Sequence, residues 1–111
     1  MQSAELENYV KEIARVLKPG GKTIITFFLL NAESERSIDL GRSALDFKYE
    51  INENSKTTNP NVPEDAIAYK EEFVLSLINK YRLELDSPIY YGSWCGREKF
   101  LTFQDLILIR K

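Results

Sequence analysis

The sequence predicts a mixed α/β fold organised around one central strand, and three observations carry that prediction. A helix end, a tight turn and a strand follow one another directly in Arg15-Val16-Leu17-Lys18-Pro19-Gly20-Gly21-Lys22-Thr23-Ile24-Ile25-Thr26-Phe27-Phe28-Leu29-Leu30. Both parities of that strand are apolar, with Ile24, Phe28 and Leu30 on one face and Ile25, Phe27 and Leu29 on the other. A strand of that kind belongs inside a sheet covered on both sides, usually a parallel one. The chain then closes on two further strand patterns, Leu83 to Tyr91 and Phe100 to Ile109, whose short connection Gly92 to Lys99 makes them an antiparallel hairpin.

Taken in order, Ser3 reads as an N-cap, with Glu5 and Glu7 where a helix dipole favours negative charge. Leu6, Val10, Ile13, Ala14 and Leu17 recur at helical spacing and form one apolar stripe. Pro19 stops that helix, and Gly20 and Gly21 allow the reversal into the central strand. Residues 31–61 read as an irregular insertion or substrate-side cover. Within them Ser34 to Leu45 is compatible with a helix facing Ile38, Leu40 and Leu45 inward, although Gly41 weakens it. Asp46 to Ile51 alternates polar with apolar, as a short edge strand or an extended cover would, and Asn52 to Asn61 reads as a polar surface loop.

Pro63-Glu64-Asp65 is expected to open the next helical region, whose apolar face is Phe73, Val74, Leu77 and Ile78 and whose last turn Tyr81 closes. Pro88 cannot donate to a sheet ladder, so the Leu83 strand belongs at an edge or carries a bulge there. Leu106 to Ile109 is apolar on both faces and belongs inside the sheet.

Composition excludes several function classes. The 111 residues allow one domain, of which 43% are hydrophobic and 29% charged, an ordinary globular balance. Fifteen basic and 17 acidic residues give a net charge of −2, and no Lys/Arg cluster could track a phosphate backbone, so nucleic acid is not an expected partner. The absence of histidine removes the commonest general base and metal ligand, and no metal-ligand spacing is present. The single Cys95 cannot form an internal disulfide, which suits a reducing cytoplasm. The run Thr23 to Leu30 is far too short to span a bilayer, and polar residues rather than a signal-peptide core follow Met1.

The stretch Arg15 to Gly21 with its following strand resembles the segment around the fifth strand of class I S-adenosylmethionine-dependent methyltransferases. Pro63-Glu64-Asp65-Ala66-Ile67-Ala68-Tyr69, Tyr91-Gly92-Ser93-Trp94-Cys95-Gly96-Arg97 and Phe103-Gln104-Asp105 resemble the closing part of one bacterial-type group. The resemblance spans nearly the whole chain but only the C-terminal half of such a domain. It implies a partial Rossmann-like methyltransferase sheet in the order central strand, last antiparallel strand, edge strand, with a right-handed crossover and two main helices on one face.

In that family S-adenosylmethionine is held by a glycine-rich loop after the first strand and an acidic residue at the end of the second. Here Gly20 and Gly21 precede a strand, and Gly41, Gly92 and Gly96 are isolated. No cofactor-binding residue carries over, and the chain alone is expected neither to bind the cofactor nor to be active.

Ligands of open α/β sheets gather at the carboxyl ends of the strands. Asn31 stands at that end of the central strand, so a substrate-side wall is expected from Leu30, Asn31 and Glu33, from the cover around Phe47 and Tyr49, and, by the resemblance, from Tyr69. The competing reading is that Phe47, Tyr49 and Tyr69 only seal the sheet edge. No catalytic residue is assigned: Ser93 and Cys95 lack an adjacent base. Cys95 beside Trp94 and Arg97 reads either as an activated thiol or as a packed loop cysteine, and Glu33/Glu35 and Glu71/Glu72 read as solvated faces.

One face and one edge of Ile24–Leu30 have no evident cover within the chain, which predicts a homodimer or a complementing N-terminal half. Two functions follow. The chain is the C-terminal part of a small-molecule or protein methyltransferase, or a non-catalytic binding or oligomerisation module derived from one.

Overall fold

Pro19 ends the first helix where the sequence requires it. In the computed structural model, which describes residues 3–62 and 66–111, α1 runs Ser3–Val16, and Gly20, at φ 85°, turns the chain into β1 (Lys22–Phe27). There follow β2 (Leu29–Leu30), α2 (Ala32–Asp39), β3 (Tyr49–Asn52), β4 (Ser55–Thr57), β5 (Ile67–Lys70), α3 (Glu71–Lys80), β6 (Glu84–Leu85), a 3-10 turn at Ser93–Cys95 and β7 (Asp105–Arg110). The N-cap reading of Ser3 and the helix start at Pro63–Asp65 fall outside the described side chains and residues.

The first sheet has the order β1-β7-β6, so the last strand lies between the central strand and the edge strand. β1 and β7 are antiparallel from Lys22↔Arg110 to Phe27↔Asp105. The edge strand is shorter than its pattern suggested. Beyond Leu85 only the Asp86 N–H, donating to the Leu108 carbonyl at 2.8 Å, continues the β6 pairing before the Tyr90↔Leu106 bridge, leaving Pro88 out of the ladder. The last strand likewise begins only at Asp105, and Phe100, Leu101 and Phe103 lie exposed before it.

Both long helices cover one face of this sheet. Leu6 and Val10 of α1 and Val74, Leu77 and Ile78 of α3 bury against Ile25, Phe27, Ile107 and Ile109. Glu7 ties the helices together, accepting from Lys80 Nζ at 2.6 Å and from the Tyr81 hydroxyl at 2.7 Å. The opposite face is open: Ile24 is 59% exposed and burial alternates along β1 and β7. The expectation that one face of Ile24–Leu30 has no cover within the chain holds at Ile24 and fails at Phe28 and Leu30, which pack with Phe47 and Trp94.

The second sheet, order β2-β5-β4-β3, corrects the reading of residues 31–61. The central strand breaks at Phe28, and Leu29–Leu30 then pairs in parallel with Tyr69–Lys70. Thus β5 covers the carboxyl end of the edge that the sequence left open, while Lys22–Phe27 stays unpaired there. Part of the predicted surface loop, Ser55–Thr57, is an internal strand with Ser55 and Thr57 buried. Its polarity hid it, yet its hydroxyls are satisfied: Ser55 Oγ donates to Asn52 Oδ1 at 3.0 Å and Thr57 Oγ1 to the Ala66 carbonyl at 2.9 Å.

Tyr49–Asn52 is an edge strand, one of the two alternatives for that segment. Ile67–Lys70 is a strand rather than part of a helical region, and α3 starts only at Glu71. α2 begins earlier than expected and stops before Gly41, which sits at φ 72°.

Candidate functional site

At the carboxyl end of the central strand, Asn31 caps α2. Its Oδ1 accepts the Ser34 N–H at 2.9 Å, its own N–H donates to Ser34 Oγ at 2.9 Å, and Ser34 Oγ donates back to the Leu29 carbonyl at 2.8 Å. This reciprocal cap fixes the Asn31 side chain. Because β5 runs straight into α3, Glu71 arrives beside it, and Asn31 Nδ2 donates to Glu71 Oε1 at 3.2 Å. The Tyr91 hydroxyl donates to the same oxygen at 2.5 Å.

The Tyr91 ring in turn carries the Arg97 guanidinium, 4.8 Å from its centroid. Arg97 Nε donates to Glu33, and its Nη1 donates to the Gly92 carbonyl at 3.0 Å and to Asp105 Oδ1 at 3.4 Å. Arg97 Nη2 is buried and has no hydrogen-bond acceptor among the described residues. Asp105, fully buried, also accepts the N–H groups of Gly92 at 2.6 Å and Leu29 at 2.8 Å and the Trp94 indole N–H at 3.0 Å. One carboxylate thus joins β7, β2 and the Ser93–Cys95 turn.

Beneath the polar network lies an aromatic wall. Phe28, Phe47 and Trp94 meet pairwise with centroids 5.4 to 5.6 Å apart, and Phe103 approaches Phe28 at 6.1 Å. Cys95 is buried in the same cluster. Burial pushes its thiol up more than Arg97 draws it down, so the packed-cysteine reading holds. Burial likewise raises Asp105, opposed by donors from Gly92, Leu29 and Trp94 and by the Arg97 charge. Burial, then the bond to Glu71, raises the Tyr91 phenol, which stays a donor at neutral pH.

Of the expected site residues, the structure brings Asn31 and Glu33 into the network. Leu30 is buried beneath it, and Phe47, 1% exposed, belongs to the aromatic wall. Tyr49 sits on β3, at the far edge of the second sheet from β2. Tyr69 is buried in the main core, edge-on to Phe27 and stacked on Phe73, and its hydroxyl has no partner among the described residues. Glu71, Tyr91, Arg97 and Asp105 were missed as a group.

Tyr91, Arg97 and Asp105 lay in the blocks that carry the family resemblance, and Asp105 stands alone at the head of an apolar run. Glu71 gave no signal. Nor are these acids simply solvated: Glu33 pairs with Arg97, Glu35 with Lys56 at 3.5 Å, and Glu71 accepts two hydrogen bonds.

Three clefts adjoin the network. One of about 630 Å³ is lined by Glu33, Arg36, Arg42 and Arg97, one of about 480 Å³ by Tyr90, Tyr91, Arg97 and Phe100, and one of about 440 Å³ by Asn31, Lys70, Glu71 and Glu72. The arrangement can bind and orient a polar ligand and hold protons on Tyr91. It contains no nucleophile paired with a base. Among the described residues no group of three or more His, Cys, Asp or Glu could hold a metal ion, and no helix is long and apolar enough to cross a membrane. No protein-family model matches the chain, and no solved structure matches it.

Proposed function

We propose that this chain is the C-terminal portion of an S-adenosylmethionine-dependent methyltransferase and contributes walls on the substrate side. The observation that carries the reading is the β1-β7-β6 order, an antiparallel last strand inserted beside a central strand whose other edge is open over Lys22–Phe27. The polar network at the carboxyl end of that strand supports it, since that is where open α/β sheets take their ligands.

The residues present do not fit the cofactor itself. Gly20 and Gly21 precede β1 instead of following a strand, and Gly92, the glycine nearest the network, is packed against the Phe103 and Gln104 backbone. No step through the cofactor is assigned to this chain. Its own part is to orient an acceptor: the Glu71 carboxylate takes an N–H or O–H, with Asn31 and Tyr91 holding it in place. The cofactor half lies outside these residues, and the open edge of Lys22–Phe27 is where its sheet would pair. A reducing, cytoplasmic location accords with the free, buried Cys95.

A second reading, a non-catalytic binding or oligomerisation module with a second copy as partner, is favoured by the open apolar face at Ile24 and Leu108.

Calorimetric titration with S-adenosylhomocysteine tests both readings. The chain alone gives no heat, and a mixture with a polypeptide carrying a glycine-rich strand–loop–helix half gives stoichiometric binding. Binding to the chain alone overturns the placement of the cofactor site outside these residues. A silent mixture together with a dimer in solution scattering favours the module.

A further inference from the structure

The largest of the three clefts has a chemistry that the methyltransferase reading does not use. One wall is the exposed side of α2, with Ala32, Glu33, Arg36 and Ser37, and the other is formed by Arg42, Gly96, Arg97 and Glu98. The Arg42 N–H donates to the Ser37 carbonyl at 2.9 Å and Arg97 Nε donates to Glu33, which fasten the second wall to α2, and the two segments of the second wall are joined as well. The Ala44 N–H donates to the Trp94 carbonyl at 2.8 Å, Ser43 Oγ donates to the same carbonyl at 3.2 Å, and a Cβ on Gly96 would lie 2.8 Å from the Arg42 carbonyl oxygen. The cleft is therefore a formed feature of the fold, not a gap between loose segments.

Three guanidinium groups and two carboxylates line the cleft, and Arg97 is paired with one of those carboxylates, Glu33, and with the buried Asp105. Arg36 and Arg42 form no ion pair among the described residues. Arg97 has a side chain 10% exposed and a buried Nη2 without an acceptor, so it backs the cleft that the exposed Arg36 and Arg42 line. Nε and Nη1 are held by Glu33, Gly92 and Asp105, so the guanidinium is fixed in orientation before any ligand arrives. Arginine forks match the oxygens of a carboxylate or phosphate, and a pre-positioned fork loses little freedom on binding. The volume of about 630 Å³ suits a small metabolite, and Leu40, 55% exposed on the same cleft, offers an apolar wall.

We infer that the Arg36–Arg42–Arg97 cleft binds a small anionic molecule, its carboxylate or phosphate held between the arginines and its body against Leu40. This site does not depend on the methyltransferase reading: it shares Glu33 and Arg97 with the network, but not Asn31, Glu71 or Tyr91, which that reading uses to orient an acceptor.

The test uses the full chain and two probes, inorganic phosphate and succinate, titrated at constant ionic strength while the arginine Nε–H resonances are followed. Saturable shifts are expected at Arg36, Arg42 and Arg97 with at least one probe, and the tighter probe names the anionic group. Arg36→Gln and Arg42→Gln, both at exposed positions, should each weaken binding about fivefold or more. Arg15→Gln, on α1 and paired with Glu12, should not change it. Shifts that never saturate for either probe, or an equal loss in Arg15→Gln, overturn the inference. The cofactor titration is unaffected by either result.

Discussion

Asp105 Oδ2 accepts the backbone N–H of Leu29 at 2.8 Å, joining residues 76 positions apart at the point where the central strand breaks at Phe28 and passes from the first sheet to the second. The same carboxylate holds Gly92, Trp94 and Arg97, so the loop that frames the candidate site is tied to the strand that supports it.

Replacing one carboxylate oxygen by an amide NH2 should cost about 2–4 kcal/mol, since two of the four donors then face another donor and Arg97 loses a charged partner. The cost should depend on pH. Burial holds the Asp105 carboxyl above its ordinary value of 3.8, so between the unfolded and folded values the folded chain carries more protons. Its titration therefore favours folding below the unfolded value, and that contribution is lost as pH rises through the folded value. Urea unfolding of wild type and Asp105→Asn across acid to neutral pH should show a stability difference that narrows as pH rises. A difference that widens would place the folded value below the unfolded one.

Two glycines should answer an added methyl group differently. A Cβ on Gly92 would stand 2.2 Å from the Phe103 carbonyl oxygen and 2.5 Å from the Gln104 carbonyl carbon, both backbone, so Gly92→Ala should lose about 3 kcal/mol or fail to fold. Gly41, at φ 72° with nothing within 4 Å, pays only for its left-handed conformation, and Gly41→Ala should lose about 1–2 kcal/mol. Thermal unfolding of the pair gives the order; equal losses would mean that the Gly92 backbone moves aside freely.

Tyr69 buries its hydroxyl with no partner among the described residues, and burial raises its pKa strongly. Tyr69→Phe should therefore leave stability unchanged or raise it by about 1 kcal/mol. A loss of that size would show that the hydroxyl has a partner.

The open edge makes a prediction residue by residue. The Lys111 N–H donates to the Gly21 carbonyl, so the next N–H, that of Lys22, points away from β7, and alternation sends Ile24 and Thr26 the same way. The Phe28 carbonyl, in the same series, accepts the Tyr69 N–H at 3.0 Å on that side. Hydrogen exchange in the isolated chain should find the amides of Lys22, Ile24 and Thr26 fast and those of Thr23 and Ile25 protected. Uniform protection along β1 would mean that another chain already pairs with it.

The sequence by itself determined the elements whose cause is local or periodic. Pro19 with Gly20 ends α1, the stripes of α1 and α3 choose the helix faces, and Pro88 confines its strand to an edge. The apolar run at Leu106–Ile109 announced an internal strand, and Asn31 at the strand's carboxyl end marked one member of the site. Tertiary structure decided what depends on partners far along the chain. Ser55–Thr57 is too polar to read as a buried strand, and only its neighbours β3 and β5 and the acceptors for its hydroxyls make it one. Glu71 looks like any first-turn acid until Asn31 and Tyr91 meet on one of its oxygens, 40 and 20 residues away. Periodicity reports which side of an element is apolar; it carries no information about which distant donor will find a given carboxylate.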